Sequence, residues 1–237
     1  MKKILIIFMF LFLLTGCGNN SNELVMVTEA GFAPYEYYED GKIVGVDVDI
    51  ANEIAKKMGK KLVIKDVAFD SIINEVKSNK SDFGAAGISY SEEREKEVDF
   101  SINYTTSKQV VVIKKDSGIT VDNLDGKKIA VQLGSIGDGY VTSNYKNSEI
   151  VRQKKYLQAI EDLKSDKVDC VVMDELPALE FVKVNDNLMV LDKELTSDSY
   201  GMIVKKGNTE LLNTINEVLK ELKDSGKIDE FIINHTK

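Results

Sequence analysis

The sequence predicts an α/β protein made of two similar units, each a mainly parallel sheet covered by helices. Three observations predict it. Apolar runs of strand length alternate with segments of helical spacing through residues 24–184. The β-α-β-α order occurs twice. Strongly periodic helices then close the chain.

Leu24–Thr28 reads as the first strand. Val46–Met58 has helical spacing at Ile50, Ile54 and Met58, with Gly59 as the residue that ends it. Leu62–Ile64 is strand-like. Phe69–Lys77 places Ile72, Ile73 and Val76 on one helical face, and Phe83–Ile88 reads as a small buried strand. In the second unit Lys128–Gln132 is a strand and a helix starts near Ser135. Glu149–Tyr156 is partly extended, and Leu157–Ser165 is helical on Leu157, Ile160 and Leu163. Val168–Met173 is again a strand and Glu175–Val184 a helix. Leu211, Ile215, Val218, Leu219 and Leu222 keep a 3.6 period up to Ser225-Gly226, and Lys227–Asn234 is a last short helix. Gln109–Lys114 and Met202–Lys205 are strand-like without helical partners and read as crossings between the units. The expected division is therefore a discontinuous lobe, 23–108 plus 200–237, and a second lobe, 109–199.

The amino terminus bears on compartment. Lys2 and Lys3 precede an unbroken apolar run, Ile4–Leu14, which is short for a bilayer span and matches the core of a secretory signal. Leu14-Thr15-Gly16-Cys17 resembles a bacterial lipoprotein processing site. The expectation is a signal peptide over 1–16, lipid on Cys17, and a flexible tether over 17–22 that anchors the protein outside the cell membrane. The alternative is a small anchor that is never cleaved. Cleavage removes two lysines and no acid, so the net charge of −8 becomes −10. An acidic chain without a Lys/Arg-rich run argues against nucleic acid and against electrostatic docking on anionic lipid.

Composition also bounds the chemistry. With Cys17 assigned to lipid, Cys170 is left alone, so no disulfide framework is expected. Its apolar setting, Val168–Met173, reads as a buried structural thiol. A single histidine, His235, leaves almost nothing for a zinc site or a Ser-His-Asp triad. Neither a metal nor a cofactor is expected.

Several stretches resemble one family. They are Thr28–Tyr37 followed by Gly45-Val46-Asp47-Val48-Asp49, then Ala68–Ile73, then Gly87-Ile88-Ser89-Tyr90-Ser91-Glu92-Glu93-Arg94. Val168–Asp174 and Tyr200–Gly207 carry the second half. In that order and spacing they resemble the polar amino-acid family of bacterial solute-binding proteins, extracellular family 3, over residues 23–237. The resemblance implies a two-lobe periplasmic-binding-protein-like fold of type II, with the ligand in the interlobe cleft. It implies capture of a free amino acid outside the cell and delivery to an ABC-type permease and ATPase, by a protein expected to be monomeric.

The residues support that reading chemically. An amino acid is a zwitterion, so its binder needs a fixed cation and a fixed anion. Arg94 is one of two arginines among 31 basic residues. A guanidinium grips a carboxylate with a planar fork that an ammonium lacks. The frame Gly87-x-Ser89-x-Ser91-x-x-Arg94 favours this over a surface arginine paired with Glu92 or Glu97. Asp174, at the end of an apolar strand, serves equally as a helix cap, and the resemblance assigns it the ligand's amino group. Gly87 permits close approach of a ligand to the main chain, and the resemblance places Ser89 in the same ligand-site segment. The resemblance makes Phe32 and Phe69 aromatic walls, with core packing as the alternative for Phe69. Ser135 and the amide of Ile136 open a helix where N–H groups could complete a carboxylate site. The family usually has a hydroxyl residue in place of Ile136. Glu29 either faces the ligand's side chain or is a solvated turn residue. Together these favour arginine or lysine ahead of glutamine and cystine.

Two other functions share the fold class. An extracytoplasmic dehydratase would need a poised acid or base, for which Glu29 is the candidate. A ligand sensor would need a separate signalling partner.

Overall fold

The computed structural model describes residues 22–236. The expected signal peptide, Cys17 and most of the tether lie outside them. Asn22 already belongs to the folded chain, since its carbonyl accepts from Lys61 N at 2.9 Å.

The first sheet contains β1 (Glu23–Thr28), β4 (Lys61–Asp66), β5 (Phe83–Gly84), β6 (Val98–Phe100) and β13 (Ile203–Lys205), in the order β4-β1-β5-β13-β6. A small hairpin, β2 (Tyr37–Glu39) and β3 (Lys42–Val44), precedes helix α1 (Val46–Lys57). Helix α2 (Ile72–Lys77) follows a single 3-10 turn, Phe69–Ser71. Helix α3 (Glu92–Glu95) is short, and Ser91 Oγ caps it by accepting from Arg94 N at 3.2 Å.

The second sheet contains β7 (Thr105–Lys114), β8 (Lys128–Gln132), β9 (Glu149–Gln153), β10 (Cys170–Asp174) and β11 (Leu188–Val190), in the order β11-β7-β10-β8-β9. The strand β12 (Thr196–Tyr200) also pairs with β7. Helices α4 (Ile136–Asn144), α5 (Tyr156–Lys164) and α6 (Glu175–Lys183) pack on this sheet. Every residue of β10 is buried, which is why it reads as a continuous apolar run. Cys170 lies there, buried and unpaired, its thiol pushed up to about 12 by burial.

Helix α7 (Thr209–Asp224) buries the predicted stripe from Leu211 to Leu222 and packs on α1. Lys57 of α1 reaches Glu217 and Glu221 of α7 at 2.7 and 3.0 Å. Gly226, at φ 72, turns the chain into α8 (Lys227–His235). His235 bridges Tyr37 and Asp49, at 3.1 and 2.8 Å, so it holds α8 against the first lobe.

Several expectations differ from the structure. Gln109–Lys114 is not a crossing but the inner part of β7, paired with β10 and β11. Met202–Lys205 holds β13, antiparallel to both β5 and β6 in the first sheet. The chain crosses at Ser101–Tyr104 and Gly201–Met202, and these two segments bond to each other. Ser101 N donates to Met202 O at 2.8 Å, and Tyr104 N to Tyr200 O at 3.0 Å. Both sheets are therefore mixed, because β7 and β13 arrive by crossings rather than by β-α-β connections. Only Phe83–Gly84 of the expected strand 83–88 is strand. The backbone then turns away, with Gly87 at φ 54.

Candidate functional site

All nine residues selected from the sequence line one cavity between the lobes: Glu29, Phe32, Phe69, Gly87, Ser89, Arg94, Ser135, Ile136 and Asp174. Its free space is only about 10 Å³, at the limit for a single water. A wider groove of about 630 Å³ opens beside it past Phe69, Arg94 and Ile136.

Arg94 projects from α3 into the cavity. Its fork donates to Ser89 O at 2.6 Å, within its own lobe, and to Gly134 O at 2.8 Å, across the cleft. The guanidinium carbon stands 5.5 Å from the centre of the Phe69 ring. Neither Glu92 nor Glu97 pairs with it; Glu97 pairs with Lys77. Phe69 lines the cavity and also packs on the core of the first lobe.

Asp174 ends β10 at the start of α6 but does not cap it with its side chain. Its Oδ1 accepts from Ser107 Oγ at 2.9 Å, from Gln109 Nε2 at 2.9 Å and from Tyr200 Oη. Burial pushes its carboxyl up to about 6, helped by the charge of Asp198 and opposed by these donors. Asp198 is held by Ser89 Oγ at 2.8 Å and by the same Gln109 amide at 3.2 Å. Burial raises it as well. Two acids thus sit together opposite one guanidinium, a setting that attracts an ammonium group.

Glu29 is not a solvated turn residue. It is 1 % exposed. Lys155, from the residue before α5 in the other lobe, reaches it at 3.0 Å and Asp66 at 3.4 Å. Gln132 Nε2 donates to its other oxygen at 3.1 Å. Burial raises its carboxyl, and Lys155 opposes the rise. Phe32 is more enclosed than a turn aromatic should be. It stacks between Tyr35 and Tyr156 at 5.8 Å from each ring centre. Ser135 caps α4 by accepting from Asp138 N at 3.1 Å, and Ile136 is the first helical residue. Gly87 cannot carry a side chain here, because a Cβ would meet Phe32 at 2.6 Å.

The sequence reading missed Glu36, Gln132, Tyr156, Lys155 and Asp198. Gln132 carried a signal, a polar residue closing the apolar strand Lys128–Gln132 just before a Gly-Ser turn. Lys155 carried none, since lysines crowd the surface and its role depends on the facing lobe. Among the described residues no group of three or more His, Cys, Asp or Glu is placed to hold a metal ion, and no helix is long and apolar enough to cross a membrane.

A family profile, that of the bacterial extracellular solute-binding proteins, family 3, matches residues 24–235. The chain belongs to this family. It is a binding protein and not an enzyme, which sets aside the dehydratase reading. An arginine-binding extracellular protein of Bacillus subtilis, ArtP, is 33% identical over 231 residues, covering 92% of this chain and 91% of that one. The solved amino-acid-transporter binding protein AbpA of Streptococcus pneumoniae, bound to L-arginine, superposes with a TM-score of 0.87 at 35% identity. That match covers 91% of this chain and 95% of the other. An ancestral arginine-binding protein bound to glutamine matches at 0.85 and 38% identity, over 90% and 97% of the two chains.

Proposed function

We propose that this protein is the extracytoplasmic substrate-binding lipoprotein of an ABC importer, and that it captures a free basic amino acid, arginine or lysine. The observation that carries the reading is the placement of Arg94 and Asp174 on one interlobe cavity, a cation from one lobe and an anion from the other. Relatives that bind amino acids support it.

Binding proceeds by exchange of contacts. The cavity has no room for an amino acid while the lobes touch, so the lobes part about the paired crossings. Arg94 then gives up Gly134 O and offers its fork to the ligand carboxylate, with the α4 N–H groups behind Ser135 alongside. Asp174 and Asp198 receive the ammonium. Closure over the ligand rebuilds interlobe contacts, so binding populates the closed form.

The side-chain end decides the ligand class. Glu29 and Asp66 share one cation, Lys155, which leaves one negative charge for a guanidinium or ammonium between aromatic faces. A neutral amide is the second reading, favoured by one observation: Glu29 already has Lys155 and Gln132, so glutamine binds without displacing either. Cys17 anchors the protein by lipid, where two acyl chains hold stably and one does not. Mass spectrometry of the ligand released from gently purified protein tests the reading. Arginine or lysine supports it; a sugar, a peptide or a metal chelate contradicts it.

A further inference from the structure

Glu36 lies fully buried at the edge of the cavity, and neither of its oxygens receives a hydrogen bond from a neighbouring donor. It follows the turn in which Phe32 and Glu36 pair through their main chains, Phe32 N donating to Glu36 O at 2.8 Å. The start of α1 is pressed against this turn. Asp47 N donates to Tyr35 O at 3.0 Å, and a Cβ on Gly45 would meet Tyr35 O at 2.1 Å. This brings the carboxyl of Glu36 onto that of Asp47, which is itself fully buried.

The charges that act most strongly on Glu36 are all negative. Asp47 faces it from α1, Glu29 from the end of β1 and Asp174 from β10 in the other lobe. Tyr35, in the same turn, and Tyr104, from the crossing, are neutral phenols that burial holds high. The nearby cations are engaged elsewhere, Lys155 on Glu29 and Asp66, Arg94 on two carbonyl oxygens. Two carboxylates in contact without a cation repel strongly; one proton between them removes the repulsion and supplies the missing donor.

Asp47 puts that proton to use. Its Oδ2 accepts from Gly87 N at 3.0 Å, and its Oδ1 from Tyr104 Oη at 2.7 Å. Gly87 borders the cavity and Tyr104 stands at the chain crossing. We propose that Glu36 and Asp47 share a single proton, and that this acid pair is the positioning device that fixes Gly87 at the ligand cavity and Tyr104 at the hinge. Burial agrees, raising Glu36 well above the usual carboxylate range and Asp47 to about 6.

Two ligand-free measurements test it, so they stand or fall separately from the ligand reading. The first is melting temperature against pH for wild type and Glu36→Gln, whose amide donates to Asp47 at every pH. An acid raised by folding stabilises below its unfolded pKa of about 4.3, and that stability is lost as pH rises through the folded value. Asp174 and Glu29 are present in both proteins, so the difference reports the Glu36–Asp47 pair and its coupling to them. Glu36→Gln should therefore gain on wild type progressively as pH rises above about 4.3, and the gain should level off once pH passes the raised folded value of Glu36. A constant difference overturns proton sharing. The second is hydrogen exchange at the Gly87 amide. Asp47→Asn should speed it at least about tenfold, as one lost bond of this kind implies, while Glu36→Gln leaves it within about threefold. Equal exchange in Asp47→Asn and wild type overturns the positioning role.

Discussion

Replacing Arg94 with lysine keeps the charge and removes the fork. The guanidinium has five N–H donors; two are engaged, on Ser89 O at 2.6 Å and Gly134 O at 2.8 Å. In the proposed binding mode the remainder, together with the Gly134 donor released on opening, meet the ligand carboxylate. An ammonium on a flexible stem reaches one acceptor well and cannot hold the loop carbonyl and the carboxylate in one plane. Losing one hydrogen bond from a charged donor costs about 1.5–3 kcal/mol. Weakening the contact over Phe69 at 5.5 Å adds about 0.5–1 kcal/mol. Together the loss is about 2–4 kcal/mol, or about 30- to 1000-fold in affinity. Calorimetric titration of L-arginine into both proteins measures it, with circular dichroism to verify that the variant is folded. An Arg94→Lys protein that binds within about threefold of wild type would refute the bidentate carboxylate role.

The other predictions address charge, selectivity and anchoring. Asp174→Asn should weaken L-arginine binding at least about tenfold by removing the anion under the ligand's ammonium; a difference below about twofold removes Asp174 from the site. In the wild type, affinity should fall as pH drops through about 6, where Asp174 takes up a proton, and a pH-independent affinity from about 5 to 8 contradicts this. Glu29→Gln should weaken arginine and lysine by about tenfold or more and glutamine by less than about threefold; equal losses for all three would make Glu29 a purely structural partner of Lys155. Cys17→Ser should move the protein from the membrane fraction to the medium. Retention on the membrane rejects lipid as the anchor.

The sequence made the helices legible because their faces are cleanly periodic. Leu211 to Leu222 repeats every 3.6 residues over a full helix, and the structure buries that stripe. Strands were less legible where they are short or lie at crossings. β13 has three residues, and nothing local distinguishes a strand in the first sheet from a linker. β12 is the polar segment Thr196–Tyr200, which lacks the apolar alternation of a half-buried strand; it exists because β7 offers it an edge. The single-lobe part of the site followed from motifs, with Arg94 and Gly87 in one spaced frame. Contacts made only when the lobes meet were not legible. Lys155 pairs with residues 126 and 89 positions away in the chain, and Glu36 reads as an ordinary turn acid until α1 is packed against it.

The proposed function requires that the interlobe cavity hold a free amino acid clamped at both ends. A thermal-shift panel of the standard amino acids with ornithine, cystine, agmatine and acetyl-arginine tests it most directly. A ligand raises the melting temperature as the logarithm of its concentration over its dissociation constant. Arginine, lysine and ornithine should raise it. Agmatine, which lacks the carboxylate for Arg94, and acetyl-arginine, which lacks the ammonium for Asp174, should not. Agmatine or acetyl-arginine stabilising the protein as well as arginine does would contradict the clamp.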